Sequence, residues 1–200
     1  MKERIIFIIN FPRIVIAWWL AKCNRDIVKE DIDFWIECEH LENISQFGAF
    51  GKFLIESPAF RNIVLYRIAD KTNFLVRKIF KLLFRPLDSL FIFAREIGPG
   101  LYIQHGFSTI INAKSIGSRC WFNQQVTVGF DIESDAPVIG NGVRVTAGAK
   151  IIGDVIVGDN AIIGANAVVV KNVEECQVVG GIPAKYISDN VSHRLYVVVD

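Results

Sequence analysis

From Ile97 onward the chain carries a large apolar residue at every sixth position. One register runs Ile110, Ile116, Phe122 and Val128, and a second runs Ile139, Val145, Ile151, Val157, Ile163 and Val169. Four residues after most of these the side chain is again small or apolar, as at Cys120, Val126, Val143, Ala149, Val155, Ala161, Ala167 and Val173. Both positions are predicted to point inward. A helix repeats about every 3.6 residues and a half-buried strand every 2, so an interval of six with two inward positions fits neither. It fits a short strand plus a turn, stacked coil on coil into a solenoid, with three hexads to a triangular coil. Gly117, Gly129, Gly140, Gly158 and Gly164 each follow the inward residue by one and are predicted to sit at the turns. The step from Val128 to Ile139 is too long for one hexad, which predicts a loop leaving the solenoid between Phe130 and Pro137.

Residues 1–95 read as helices: they hold most of the phenylalanines and have apolar spacings of three and four. Charge segregates here. Asp26 to Glu42 is acidic and Arg61 to Arg85 basic, and Arg77, Lys81 and Arg85 share a face flanked by Phe80, Leu83 and Phe84. Such a face suits peripheral contact with an anionic membrane surface, a solvated surface, or salt-bridged packing on the acidic helix. The predicted organisation is a helical region over 1–95, a β-solenoid over 96–187 and a tail over 188–200.

A net charge of +1 gives no global field to attract nucleic acid, which is therefore not an expected partner. The mean hydropathy of +0.35 requires a direct test for a membrane segment. Asn10, Pro12 and Arg13 interrupt the apolar stretch Ile5 to Ala21, leaving a run far short of the ~20 residues that cross a bilayer. No signal-peptide pattern is present either, so the expected location is cytoplasmic, with the basic helix peripheral to the inner membrane face. Cys23, Cys38, Cys120 and Cys176 form no C-x-x-C pair and are expected to be reduced core thiols.

The hexads resemble those of the hexapeptide-repeat acyltransferases, and four segments resemble the serine O-acetyltransferase branch: Gly98 to Gly106, Asn123 to Gly129, Ala147 to Gly153 and Gly180 to Lys185. Ser57 to Arg61 and Tyr66 to Ile68 look like the end of that branch's helical domain. The resemblance implies a left-handed parallel β-helix and acetyl-CoA as acyl donor. It also implies a homotrimer, or a hexamer made by the helices. At two places the branch's pattern is absent. Its acidic residue before the catalytic histidine is Gln104 here, and its histidine before the proline of the loop is Ala136. The carboxylate that orients the histidine falls at Leu90, with Asp88 two residues away.

Moving an acetyl group from a thioester to an alcohol needs a base near neutrality, and His105 is the histidine within the coils, at the place of the branch's catalytic one. Asp88 or Glu96 would orient it. His40 and His193 are expected at the surface or in packing. By resemblance, Ala147, Ala165 and Val170 lie along the pantetheine arm, and Lys171 and Lys185 meet the CoA phosphates. Gln104, Asn123 and Gln124 are candidates for the acceptor pocket. The expected acceptor is a saccharide hydroxyl, as in related acetyltransferases of capsule and exopolysaccharide synthesis, with Asp131, Glu133 and Asp135 contributing. The alternatives are a serine O-acetyltransferase of cysteine biosynthesis and a non-catalytic assembly module. A metalloenzyme built on the same solenoid would need three histidine ligands from the coils, so no metal is expected.

Overall fold

The structure, a computed structural model, describes residues 2–69 and 71–190. The chain divides into two compact units, residues 1–88 and residues 89 onward.

The first unit is helical: α1 (Lys2–Leu20), a 3-10 turn (Ala21–Asn24), α2 (Arg25–Cys38), α3 (Gln46–Glu56), α4 (Pro58–Ala69) and α5 (Phe74–Leu83). Ser45 Oγ accepts the Gly48 N–H at 3.2 Å to start α3, and Asn73 Oδ1 accepts that of Val76 at 3.1 Å to start α5. Phe34, Phe50, Phe60 and Phe80 form the buried centre. The acidic and basic stretches meet there in one pair. Arg67 of α4 and Asp31 of α2, both buried, join through Nε to Oδ2 at 2.8 Å and Nη2 to Oδ1 at 3.0 Å. No ion pair ties α5 to α2 among the described residues, and Arg85 lies beyond the end of α5, paired with Asp88. Phe80 and Phe84, expected beside the cations, are buried.

The apolar stretch at the N-terminus differs from expectation. The helix runs unbroken through Asn10, Pro12 and Arg13, with Asn10 Nδ2 donating to the Ile6 carbonyl at 2.8 Å and Arg13 Nη1 to Asn10 Oδ1 at 2.8 Å. By length and composition alone, the helical stretch Arg4–Cys38 is long and apolar enough to cross a membrane.

The second unit is a parallel solenoid whose first strand is Leu90–Ile92, six residues before the predicted start. Its three walls stack inward side chains in register. The first wall carries Ile92, Ile111, Val128, Ile151 and Val169, the second Ile97, Ile116, Ile139 and Val157, and the third Ile103, Phe122, Val145, Ile163 and Val179. Ile110 is a correction: Ile111 points inward and Ile110 is exposed, since the register shifts at the corner before it. The antiparallel strand Lys185–Asp189 pairs with Gln177–Gly180 at the lower edge.

Gly117, Gly140, Gly158 and Gly164 stand directly after their strands, where the corners begin, whereas Gly129 ends the strand Thr127–Gly129. A Cβ on Gly158 would lie 2.5 Å from the Glu175 backbone nitrogen of the next coil, so glycine there permits coils to stack closely. The left-handed backbone falls two residues later, at Gly142 (φ 63°) and Asn160 (φ 58°). The loop emerges where predicted, with residues 130–133 and Asp135 exposed. Among the cysteines, Cys38 and Cys120 are buried, whereas Cys23 is exposed and not a core thiol. His40 is exposed, and His193 lies outside the described residues.

Candidate active site

The corner joining the third wall to the first breaks the hexad in the first coil. Ile103 and Ile111 are two residues further apart than the matching pairs Phe122 and Val128, Val145 and Ile151, or Ile163 and Val169. This longer corner contains His105 (φ 65°) and Gly106 (φ 70°). The Gly106 N–H donates to the Gln104 carbonyl at 2.8 Å, closing a γ-turn centred on His105. With positive φ this turn is strained, by about 1–3 kcal/mol for a non-glycine residue, and its effect is to push the imidazole into solvent. No hydrogen bond joins His105 to Glu96, and Asp88 is taken up by Arg85.

Polar groups lie beside this turn. Asn123 occupies the same position as Gln104 one coil on, and its Nδ2 donates to Gln104 Oε1 at 2.9 Å. Asn123 Oδ1 and Gln124 Oε1 are buried and have no partner among the described residues. Buried acceptors call for donors, and a substrate hydroxyl is one. Gln124, Ala147 and Ala165 follow one another down the coils: the Gly148 N–H donates to the Gln124 carbonyl at 3.0 Å and the Asn166 N–H to the Ala147 carbonyl at 2.9 Å. Beside this column lies a cavity of about 500 Å³ lined by Ser108, Gln125, Gly148, Lys150, Asn166, Val168 and Ile182. Lys150 Nζ donates to the Gln125 carbonyl at 2.6 Å and to the Gly148 carbonyl at 3.0 Å, stiffening its wall. Sequence reasoning did not single out Ser108, Gln125, Lys150 or Ile182. The register identifies Ser108 as a corner residue only after the two-residue offset at His105 is known.

Lys185 is exposed at the foot of this edge, directly after Ala184, whose N–H donates to the Val168 carbonyl at 2.8 Å. Val170 and Lys171 are also exposed, but on the corner joining the first wall to the second, so one protomer does not bring them to Ala147 and Ala165. The loop over 130–137 belongs to that other corner as well. Asp131 Oδ1 accepts the Glu133 and Ser134 N–H groups at 3.0 and 2.9 Å, and Asp135 pairs with Lys114 at 3.1 Å. The Ser134 side chain and the loop amides hold the Asp131 carboxyl below its ordinary range, and the Ala136 N–H and Lys114 do the same for Asp135. The expectation that these acids share a pocket with Asn123 and Gln124 is therefore corrected within one protomer: they lie on a different edge, and Asp131 and Asp135 are occupied by the loop's own fold. Among the described residues no three His, Cys, Asp or Glu gather as a metal ligand set.

The family model for bacterial transferase hexapeptide (six repeats) matches residues 136–171. The chain is similar to a serine acetyltransferase of Helicobacter pylori, 33% identical over 147 residues, covering 68% of this chain and 84% of that protein. It is also similar to a serine acetyltransferase of Synechococcus elongatus, 33% identical over 140 residues, where the match spans 57% of that protein and 65% of this chain. Among solved structures, the serine acetyltransferase of Neisseria gonorrhoeae superposes with a TM-score of 0.68 at 22% identity, over 88% of this chain and 78% of that one. A serine acetyltransferase in complex with CoA gives 0.60 at 23% identity, over 86% and 72%. These likenesses agree with the fold read from the hexads, a left-handed parallel β-helix preceded by helices.

Proposed function

The chain belongs to the serine acetyltransferase branch of the hexapeptide-repeat acyltransferases, and from that premise we propose that it is an acetyl-CoA-dependent O-acetyltransferase with His105 as general base. The observation that carries this is the γ-turn that holds His105 outward at the head of a column that continues through Gln124 to the small residues Ala147 and Ala165. A pantetheine arm needs small residues to reach the backbone, and the base belongs where the arm ends. The imidazole removes the acceptor hydroxyl proton as the oxygen attacks the thioester carbonyl. The carbon–sulfur bond then breaks, and the proton passes to the departing thiolate. Backbone N–H groups of the corner would stabilise the oxyanion. Lys185 lies at the end of the column where the nucleotide phosphates would fall.

The relatives' names favour L-serine as acceptor, in preference to the saccharide expected from the sequence. The saccharide reading keeps one specific support. Gln104 and Ala136 stand where an ammonium and a carboxylate would look for charged partners, and Gln104 is bound to Asn123 instead. Steady-state kinetics with acetyl-CoA and L-serine decide between them. The serine reading expects kcat/KM of about 10⁴ M⁻¹s⁻¹ or more. A value orders of magnitude lower, together with turnover of a neutral sugar, would reverse the choice.

The assembly we propose is a homotrimer, because a neighbouring solenoid can place its loop and its Lys171 against the His105 edge, which one protomer leaves open. Analytical ultracentrifugation of the active protein reads this directly; an active monomer is the contrary result.

A further inference from the structure

The helical unit bears an apolar and cationic face that acetyl transfer does not use. On α5, Phe74, Leu75 and Leu82 are 70%, 61% and 86% exposed. On α1, which packs against α5, Ile8, Ile9 and Trp19 are 69%, 71% and 68% exposed. Single exposed apolar residues are ordinary, but three large ones on each of two touching helices expose apolar surface that water disfavours. Cations border it: Arg77, Lys78 and Lys81 lie on α5, whose sequence contains no acid, and none of the three has an ion-pair partner among the described residues.

Three kinds of cover can be weighed. A second copy related by a twofold axis sets this patch against itself, bringing the cations of one α5 onto those of the other, which like-charge repulsion opposes. A bilayer-spanning α1 would have to leave α3. Ile14 and Ala17 are fully buried in this unit, and a Cβ on Gly51 of α3 would stand 2.5 Å from the Phe7 ring. Arg13 also sits near the middle of that helix, with its guanidinium 4.6 Å over the Phe84 ring. An anionic lipid surface meets both requirements: the apolar side chains enter the acyl boundary while the cations remain among the headgroup phosphates.

We propose that α1 and α5 together dock this protein peripherally on an anionic lipid bilayer, both helices lying along the surface. The test is co-sedimentation of the full-length protein with vesicles of phosphatidylcholine alone and of phosphatidylcholine with phosphatidylglycerol. Preferential binding to the anionic vesicles is expected, weakening as salt is raised. Lys78→Glu combined with Lys81→Glu is expected to lower partitioning by about tenfold or more, each surface cation being worth roughly fivefold. Leu82→Asp is expected to lower it too. Both variants should keep the wild-type thermal melting curve and acetyl transfer to a soluble acceptor, and His105→Ala should still bind vesicles, so this proposal can fail independently of the catalytic one. Equal binding to neutral and anionic vesicles, or unchanged binding by both variants, overturns it. So does protein that alkaline carbonate fails to release, which would indicate a spanning helix. A lipid-free change of oligomeric state in Leu82→Asp would assign the patch to a second copy.

Discussion

Asn123 Nδ2 donates to Gln104 Oε1 at 2.9 Å across adjacent coils, so the two amides form one polar surface directly beside His105. Replacing Gln104 by Asp restores the acidic residue of the serine acetyltransferases at that place and supplies a counter-charge for an ammonium. If L-serine is the acceptor, Gln104→Asp is expected to lower its KM by about tenfold, a single charge-assisted hydrogen bond's worth. The measurement is initial rate against L-serine concentration at saturating acetyl-CoA. No gain would count against an ammonium next to Gln104.

His105→Ala is expected to lower kcat by roughly 10²- to 10⁴-fold, the span for loss of a general base, with acetyl-CoA affinity nearly unchanged. Lys185→Ala should behave in the opposite manner, weakening CoA binding with little effect on kcat. Calorimetric titration with CoA and with its analogue lacking the 3′-phosphate tests the second half, the loss being larger for CoA itself.

Asp31→Ala leaves the Arg67 guanidinium buried without its carboxylate. Breaking a buried pair in this way costs about 3–5 kcal/mol, so the helical unit is expected to melt at markedly lower temperature or denaturant. Far-UV circular dichroism follows the helices selectively, since the solenoid contains none among its described residues. A loss no larger than that of an exposed pair such as Lys52 and Glu56, 2.7 Å apart, would show that Arg67 finds water when its partner is removed.

Burial pushes the Cys120 thiol up to about 12 from its ordinary value of 9.0. A folded-state value above the unfolded one means that the contribution of Cys120 to stability is complete below about pH 9 and is lost as the pH rises toward 12. Cys23, exposed, should react with a maleimide at neutral pH, while Cys120 should stay unlabelled until the protein unfolds. Mass spectrometry of labelled peptides reads both.

Periodicity alone carried most of the solenoid. Inward positions from Ile116 to Val173 can be read from the hexads because a coil must bury one aliphatic and one small residue per wall, whatever surrounds it. The loop after Phe130 was legible as a break in that arithmetic. Ile110 was misplaced because the break before it, at His105 and Gly106, is only two residues long and is masked by two adjacent isoleucines. That same short insertion is the origin of the γ-turn, so the site lies where the repeat is least readable.

What the amino-acid sequence by itself determined is therefore the repeat, its two inward positions per hexad, the helical first half and the histidine within the coils, all of which follow from local pattern. Tertiary structure alone decided which side chains share an edge. Ala147 and Ala165 come into one column with Gln124 because successive coils repeat about every 18 residues, as Asn166 bonding to Ala147 illustrates, whereas Val170 and Lys171 turn to the next corner although they are only a few residues further on. It also decided that Arg67 and not α5 meets the acidic helix, and that Phe80 and Phe84 turn inward while Leu75 and Leu82 face out. A charge or an apolar side chain is assigned its partner by the packing of distant elements, and no local spacing specifies that.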